Sequence, residues 1–182
     1  MKLAQLKEMT IRFGQINQTI VDSALSKVSN GKEIGKIDGF VIKQANYDDF
    51  EIIGLVKGFE PVSFLIYKEL DPVELYLVFS KEKQQGHASR LLWFLKDKLK
   101  KRILDQGALS DDGLKFITAL SKTKRFKINW YNIKTHDQEP FDQSKDKTEF
   151  HRKTDWRILI EQSENSLDDP LNMIILFESP AP

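Results

Sequence analysis

The feature that most constrains this chain is a change of hydrophobic period in mid-sequence. Between residues 37 and 80 the apolar residues fall in short β-rich runs, Gly39–Ala45, Phe50–Lys57, Val62–Lys68 and Glu74–Phe79. The segments between them, Asn46-Tyr47-Asp48-Asp49, Gly58-Phe59-Glu60-Pro61 and Asp71-Pro72, are turn formers, so the spacing predicts an antiparallel meander. Beyond them the period becomes helical. Ala88, Leu91, Leu92, Leu95, Leu99 and Ile103 fall on one stripe, with Lys96, Lys98, Lys100 and Lys101 elsewhere on the same predicted helix. The segment Glu74–Leu95, ELYLVFSKEKQQGHASRLLWFL, therefore reads as a strand, a short loop and an amphipathic helix.

The flanks complete the order. Ile16, Ile20, Ala24 and Val28 have helical spacing, and Ser29-Asn30-Gly31 supplies a stop, so residues 1–30 are expected to form one or two short helices. Gly107 is a plausible stop for the central helix, and Ser110-Asp111-Asp112 starts another, with Leu114, Ile117 and Leu120 as its apolar face. Phe126–Lys134 reads as a strand, His136–Lys153 as a polar loop or exposed helix, and Trp156–Ile160 and Met173–Phe177 as closing strands. No repeat or linker divides the chain, so residues 1–182 are expected to form one α+β domain, a single mixed, mostly antiparallel twisted sheet flanked by helices.

Composition narrows the chemistry. There is no cysteine, which excludes disulfides, thiolate catalysis, iron–sulfur clusters and the usual zinc modules. The three histidines, His87, His136 and His151, lack metal-ligand spacing. The longest apolar runs, Leu91–Leu95 and Met173–Phe177, are five residues each, far below a membrane span, and the start has no signal-like core; a cytoplasmic protein is expected. Walker, dinucleotide and serine-hydrolase motifs are missing from the sequence. The net charge is +1, but from Lys81 to Arg102 eight basic residues stand against Glu82 and Asp97. A second basic knot follows at Lys122, Lys124, Arg125 and Lys127, while residues 161–182 carry five acids and no Lys or Arg. The lysines fit either a solvated face or a basic rim around a phosphorylated ligand.

The loop decides between these. A strand that runs through Lys83-Gln84-Gln85-Gly86-His87-Ala88 into a helix converges unpaired backbone N–H groups where the helix dipole favours an anion. Gly86 permits close backbone approach and Ala88 keeps the next contact small.

These residues resemble the GNAT superfamily of N-acetyltransferases, whose cofactor motif is Gln/Arg-x-x-Gly-x-Gly/Ala between a strand and a Leu-rich helix. Lys83 takes the first position, Gly86 the glycine and Ala88 the second small residue, and two strands joined at Gly58 precede the motif strand. The resemblance covers about residues 50–99. It implies acetyl-CoA as cosubstrate, with its pantetheine arm along Val78, Phe79 and Ser80. Its pyrophosphate would lie on Gln84, Gln85, Gly86, His87, Ala88 and Ser89, with Lys83 among the cofactor-binding residues at the head of the motif. His87 has two readings, a phosphate contact or a solvent-facing loop residue.

The sequence departs from the family in three places. Ser110–Ser121 inserts a helix before the expected fifth strand, no Asn-x-x-Ala-x-x-x-Tyr pattern follows Phe126, and the run at Gly39–Ala45 stands where helices are usual. The C-terminal third is thus divergent. Glu74 on the motif strand is the candidate base, or else a solvated strand residue. Tyr131 is the candidate acid for the leaving thiolate, on the premise that its strand lies beside the motif strand; Tyr76 is second, and either also fits as a core tyrosine. The expected activity is acetyl transfer to an amine, on a small molecule or a protein. The alternatives are a non-catalytic GNAT-fold binding or regulatory protein and, third, a nucleic-acid binder using Lys96–Arg102 and Lys122–Lys127. The small net charge and acidic C-terminal segment count against the last.

Overall fold

The computed structural model describes residues 18–82, 85–105, 111–123, 125–142 and 155–163. The first helix, α1 (Gln18–Ser29), buries Ile20, Val21, Ala24 and Val28. Asn30 ends it, donating from its main chain and its side-chain amide to the Ser26 carbonyl at 3.2 and 3.0 Å. Five strands follow: β1 (Lys32–Ile37), β2 (Phe40–Tyr47), β3 (Phe50–Lys57), β4 (Glu60–Lys68) and β5 (Val73–Ser80). The first three hairpins close through two-residue turns, Asp38-Gly39, Asp48-Asp49 and Gly58-Phe59. Asp38, Gly39, Asp48 and Gly58 have positive φ there, as tight turns between right-twisted strands require. β1 is a strand that the sequence pattern did not anticipate; its Lys, Glu and Gly content hides the alternation.

Helix α2 (His87–Trp93) runs without a break into a π-helical turn, Phe94–Lys98. The predicted stripe ends there. Ile103 is not helical but opens β6 (Ile103–Asp105), which follows the motif helix directly. The expected helical insertion before that strand is therefore corrected: α3 (Asp111–Ser121) comes after it, followed by β7 (Phe126–Asn132), β8 (Gln138–Pro140) and β9 (Trp156–Gln162). β8 lies inside the stretch expected to be loop or helix. It pairs through Asn129, Trp130 and Tyr131 of β7, a register that polar residues reveal only beside their partner. Ile16, Gly107 and Met173–Phe177 lie outside the described residues.

All nine strands form one sheet in the order β1-β2-β3-β4-β5-β6-β9-β7-β8. Every neighbouring pair is antiparallel except β5 and β6, which are parallel. This is the expected single mixed, mostly antiparallel sheet. α1 covers one face, where Ala24 and Val28 meet Ile52, Phe64 and Ile66. It seats on Gly54, where a Cβ would lie 2.2 Å from Val28 Cγ1. The α2–π segment and α3 cover the other face, with Leu91, Leu95 and Ile117 in one core with Leu65, Trp130 and Ile158.

Candidate functional site

The parallel pair creates an open edge in mid-sheet. β5 meets β6 only at Val73–Ile103, Glu74–Leu104 and Leu75–Asp105, while its pairing with β4 continues to Ser80. Among the described residues, Tyr76–Ser80 thus has a strand partner on one side only. The opening starts at a bulge: Ile66 pairs with Leu77 and Tyr67 with Leu75, leaving Tyr76 as the extra residue. A bulge bends its strand and increases twist, which turns β5 away from β6 at this point. On the β6 side, buried Asp105 accepts the N–H of Ile158 and so ties the end of β6 to β9.

Side chains along this edge are divided between the two faces. Val78 packs with the α2 side and Phe79 stacks on Phe64 at 5.1 Å on the α1 side. Buried Ser63 donates to the Phe79 carbonyl at 2.6 Å and shares a hydrogen bond with the Ser80 hydroxyl at 2.9 Å. At the mouth of the opening, the Tyr76 hydroxyl donates to Glu74 Oε2 at 3.0 Å. Burial first, then the adjacent Glu74 charge, pushes the Tyr76 phenol up to about 12, so it stays protonated and holds the carboxylate. Its ring is fixed edge-on against Phe50 at 4.7 Å.

Past β5 the chain reaches the loop. Gly86, at φ 67, sits at the start of α2, and no side chain caps the helix. A residue with a Cβ adopts this conformation at a cost, which is why glycine stands here. Gln85 is exposed, and Ala88 and Ser89 lie in the first helical turn. Lys83 and Gln84 lie outside the described residues. His87 is not solvent-facing. It is 7% exposed, packs edge-on against Phe40 at 5.3 Å, and its Nδ1 has no hydrogen-bond partner. Burial, then the neighbouring Arg90 charge, pushes its pKa down, so the ring is a neutral packing element.

The premise placing Tyr131 beside the motif strand is overturned. β6 and β9 intervene between β5 and β7. Three strand spacings put Tyr131 roughly 14 Å away across the sheet. Its hydroxyl instead meets His136 Nδ1 at 2.5 Å in the β7–β8 turn. The basic stretch is not a continuous face either. Lys96 is 2% exposed and donates to the Arg125 carbonyl at 3.0 Å, over the Phe126 ring. Lys101 and Arg102 pair with Glu69 and Asp71. Lys98 and Arg125 lie over the ring of Trp93. A shallow hollow of about 270 Å³ between Ser121, Lys122, Phe141 and Asp142 sits by β8, away from the opening. Among the described residues, no cluster of His, Asp and Glu is arranged to hold a metal, and no helix is long and apolar enough to cross a membrane.

No family model matches the sequence, and neither does any curated protein. Among solved structures it is similar to a chain from Bacteroides thetaiotaomicron assigned to the GNAT family of acetyltransferases. The likeness covers 93% of this chain and 100% of that one, at 13% identity and a TM-score of 0.39. In this chain itself, a hairpin precedes the motif strand, a bulge opens that strand, a glycine loop leads into a Leu-striped helix, and a parallel strand returns beside it. These elements form one mixed, mostly antiparallel sheet with helices on both faces.

Proposed function

We propose that the chain is an acetyl-CoA-dependent N-acetyltransferase acting on an amine of a small molecule or a protein. The carrying observation is the one-sided edge of β5 from Tyr76 to Ser80, opening at a bulge next to the Glu74 carboxylate. A pantetheine arm is an amide-rich extended chain, and an unpaired strand edge offers it the N–H and C=O groups that a neighbouring strand would otherwise take. The start of α2, uncapped and led by Gly86, suits the pyrophosphate. Val78, Phe79, Ser80, Gln85, Gly86, Ala88 and Ser89 are the described residues assigned to the cosubstrate. His87 contributes its main chain, its ring being taken up in packing.

In this reading Glu74 accepts the proton that the acceptor ammonium must lose before its nitrogen can attack. The N–C bond forms as the thioester C–S bond breaks, and a backbone N–H of β5 stabilises the developing oxyanion. The thiolate leaves and takes up a proton from water. Tyr76 positions Glu74 through its hydroxyl hydrogen bond. Tyr131 has no part in this reaction.

A second reading, a GNAT-fold protein that binds CoA without turning it over, draws on the same finding: the only described tyrosine hydroxyl on the opening is engaged with Glu74. One experiment separates the two. Acetyl-CoA is titrated calorimetrically into the protein, and thiol release is then followed with small amines, lysine peptides and peptide N-termini. Binding with turnover supports the enzyme, binding without turnover on any class supports the second reading, and no binding sinks both.

A further inference from the structure

The β1–β2 turn reaches across to the loop that opens α2. Asp38 Oδ2 accepts a hydrogen bond from Arg90 Nε at 2.9 Å. The same guanidinium donates through Nη1 to the Gln85 carbonyl at 2.7 Å. Arg90 also donates its main-chain N–H to the Gly86 carbonyl at 3.0 Å. Its guanidinium lies 5.3 Å from the Phe40 ring centre, and Phe40 in turn abuts His87. The Arg90 side chain is 12% exposed and that of Asp38 33%. One arginine therefore holds two consecutive loop carbonyls while being anchored to a hairpin remote in sequence.

We propose that Asp38 and Arg90 act as a positioning clamp that sets the Gln85-Gly86 peptide for the pyrophosphate of acetyl-CoA, an inference that rests on the acetyltransferase reading above. The argument is peptide geometry. In a trans peptide the carbonyl oxygen and the following N–H point in opposite directions. Pinning the Gln85 oxygen on Arg90 therefore fixes the direction of the Gly86 N–H on the far side of the plane. Asp38 holds the guanidinium in the orientation that makes this possible. The planar fork of arginine reaches a carboxylate and a carbonyl at once, which a lysine ammonium does not reproduce with the same geometry.

The clamp makes a prediction whose sign is opposite to simple electrostatics. Asp38 is a negative charge near the proposed seat of an anionic ligand, so on charge alone its neutralisation would tighten binding. On the clamp it weakens binding. Asp38→Asn suits the test because asparagine tolerates the left-handed conformation at this turn.

The experiment is calorimetric titration of acetyl-CoA into wild type, Asp38→Asn, Arg90→Gln, Arg90→Lys and the Asp38→Asn/Arg90→Gln double variant. It is paired with amide hydrogen exchange of residues 85–89 in the ligand-free proteins. We expect about 3–10-fold weaker binding for Asp38→Asn, at least about 10-fold for Arg90→Gln, little rescue by lysine, and a double variant no weaker than Arg90→Gln alone. Exchange at 85–89 should quicken in each variant. Unchanged or tighter binding by Asp38→Asn, or additive losses in the double variant, overturns the clamp while leaving the acetyltransferase reading standing. A wild type that does not bind acetyl-CoA overturns that reading and the clamp's role with it, whatever the exchange data show.

Discussion

At the scale of single residues, the mouth of the β5–β6 opening depends on Glu74 and Tyr76, two neighbours on the α1 face of one strand. If Glu74 takes the acceptor's proton, Glu74→Gln should lower kcat by about 10²–10⁴-fold with little change in acetyl-CoA affinity. Tyr76→Phe keeps the contact with Phe50 and removes only the hydrogen bond, so a loss of about tenfold is expected. Tyr131→Phe should leave kcat within about twofold, because two strands separate it from β5. Steady-state thiol release on the three variants checks all of this, and a large loss in Tyr131→Phe would sink the assignment. His87 makes a separate prediction. Its folded-state pKa is depressed, so as pH falls below about 6.5 the unfolded chain binds the proton first and stability is lost. Above that window the group contributes nothing to the pH dependence. Thermal unfolding from about pH 7 to about pH 5.5 should therefore show a smaller drop in Tm for His87→Phe than for wild type.

At the scale of elements, the loop and helix after β5 can be probed independently. Gly86→Glu introduces a Cβ at positive φ, at about 1–2 kcal/mol, and a carboxylate where an anion is proposed to bind. The expected outcome is loss of measurable acetyl-CoA binding with the cooperative unfolding transition retained; undiminished affinity would remove the loop from the site. Leu95 lies fully buried in the π-helical turn against the sheet. Leu95→Ala should cost about 2–5 kcal/mol, read from denaturant midpoints at constant slope. Here the helical stripe was legible as far as Leu95, because its period survives any packing arrangement. Its end was not. Leu99 to Ile103 keeps the apolar spacing, yet Ile103 satisfies its backbone beside Val73 and Ile160 in the sheet. The rule that failed is that an apolar spacing identifies an element without knowledge of its hydrogen-bond partners.

At the scale of the whole molecule, the nine-stranded sheet is covered by α1 on one face and by α2, the π turn and α3 on the other. The contact of α1 is set by the missing side chain at Gly54. Gly54→Ala would push a methyl group into Val28, and overpacking of this kind costs about 1–3 kcal/mol. A Gly54→Ala variant as stable as wild type in chemical denaturation would show that α1 docks more loosely than its buried face implies. The order of the strands has a further consequence. Since β9 enters between β6 and β7, the C-terminal part of the sheet is completed only when the last described strand arrives. β7 pairs with β9 over seven residues, so Trp130 and Ile158 share a core although they are far apart in sequence.

Local chemistry in the sequence by itself determined the meander from β2 to β5, the segments where it turns, the central helix as far as Leu95 and the glycine loop, because these rest on alternation, turn residues and helical period within a few neighbours. The loop from Gln85 to Ser89 follows from the same local order, whereas Glu74 as a candidate base rests on the resemblance to the acetyltransferases. Tertiary structure alone decided which strands lie side by side. That single fact moved Tyr131 away from β5, made β6 the parallel neighbour, and brought Asp38 to Arg90 across 52 residues. It also turned His87 and Lys96 inward, where composition had allowed a loop histidine and a solvated lysine. The physical reason is the same in each case: strand pairing and side-chain burial are settled by long-range hydrogen bonds and shared apolar surface, which leave no periodic trace in the chain that makes them.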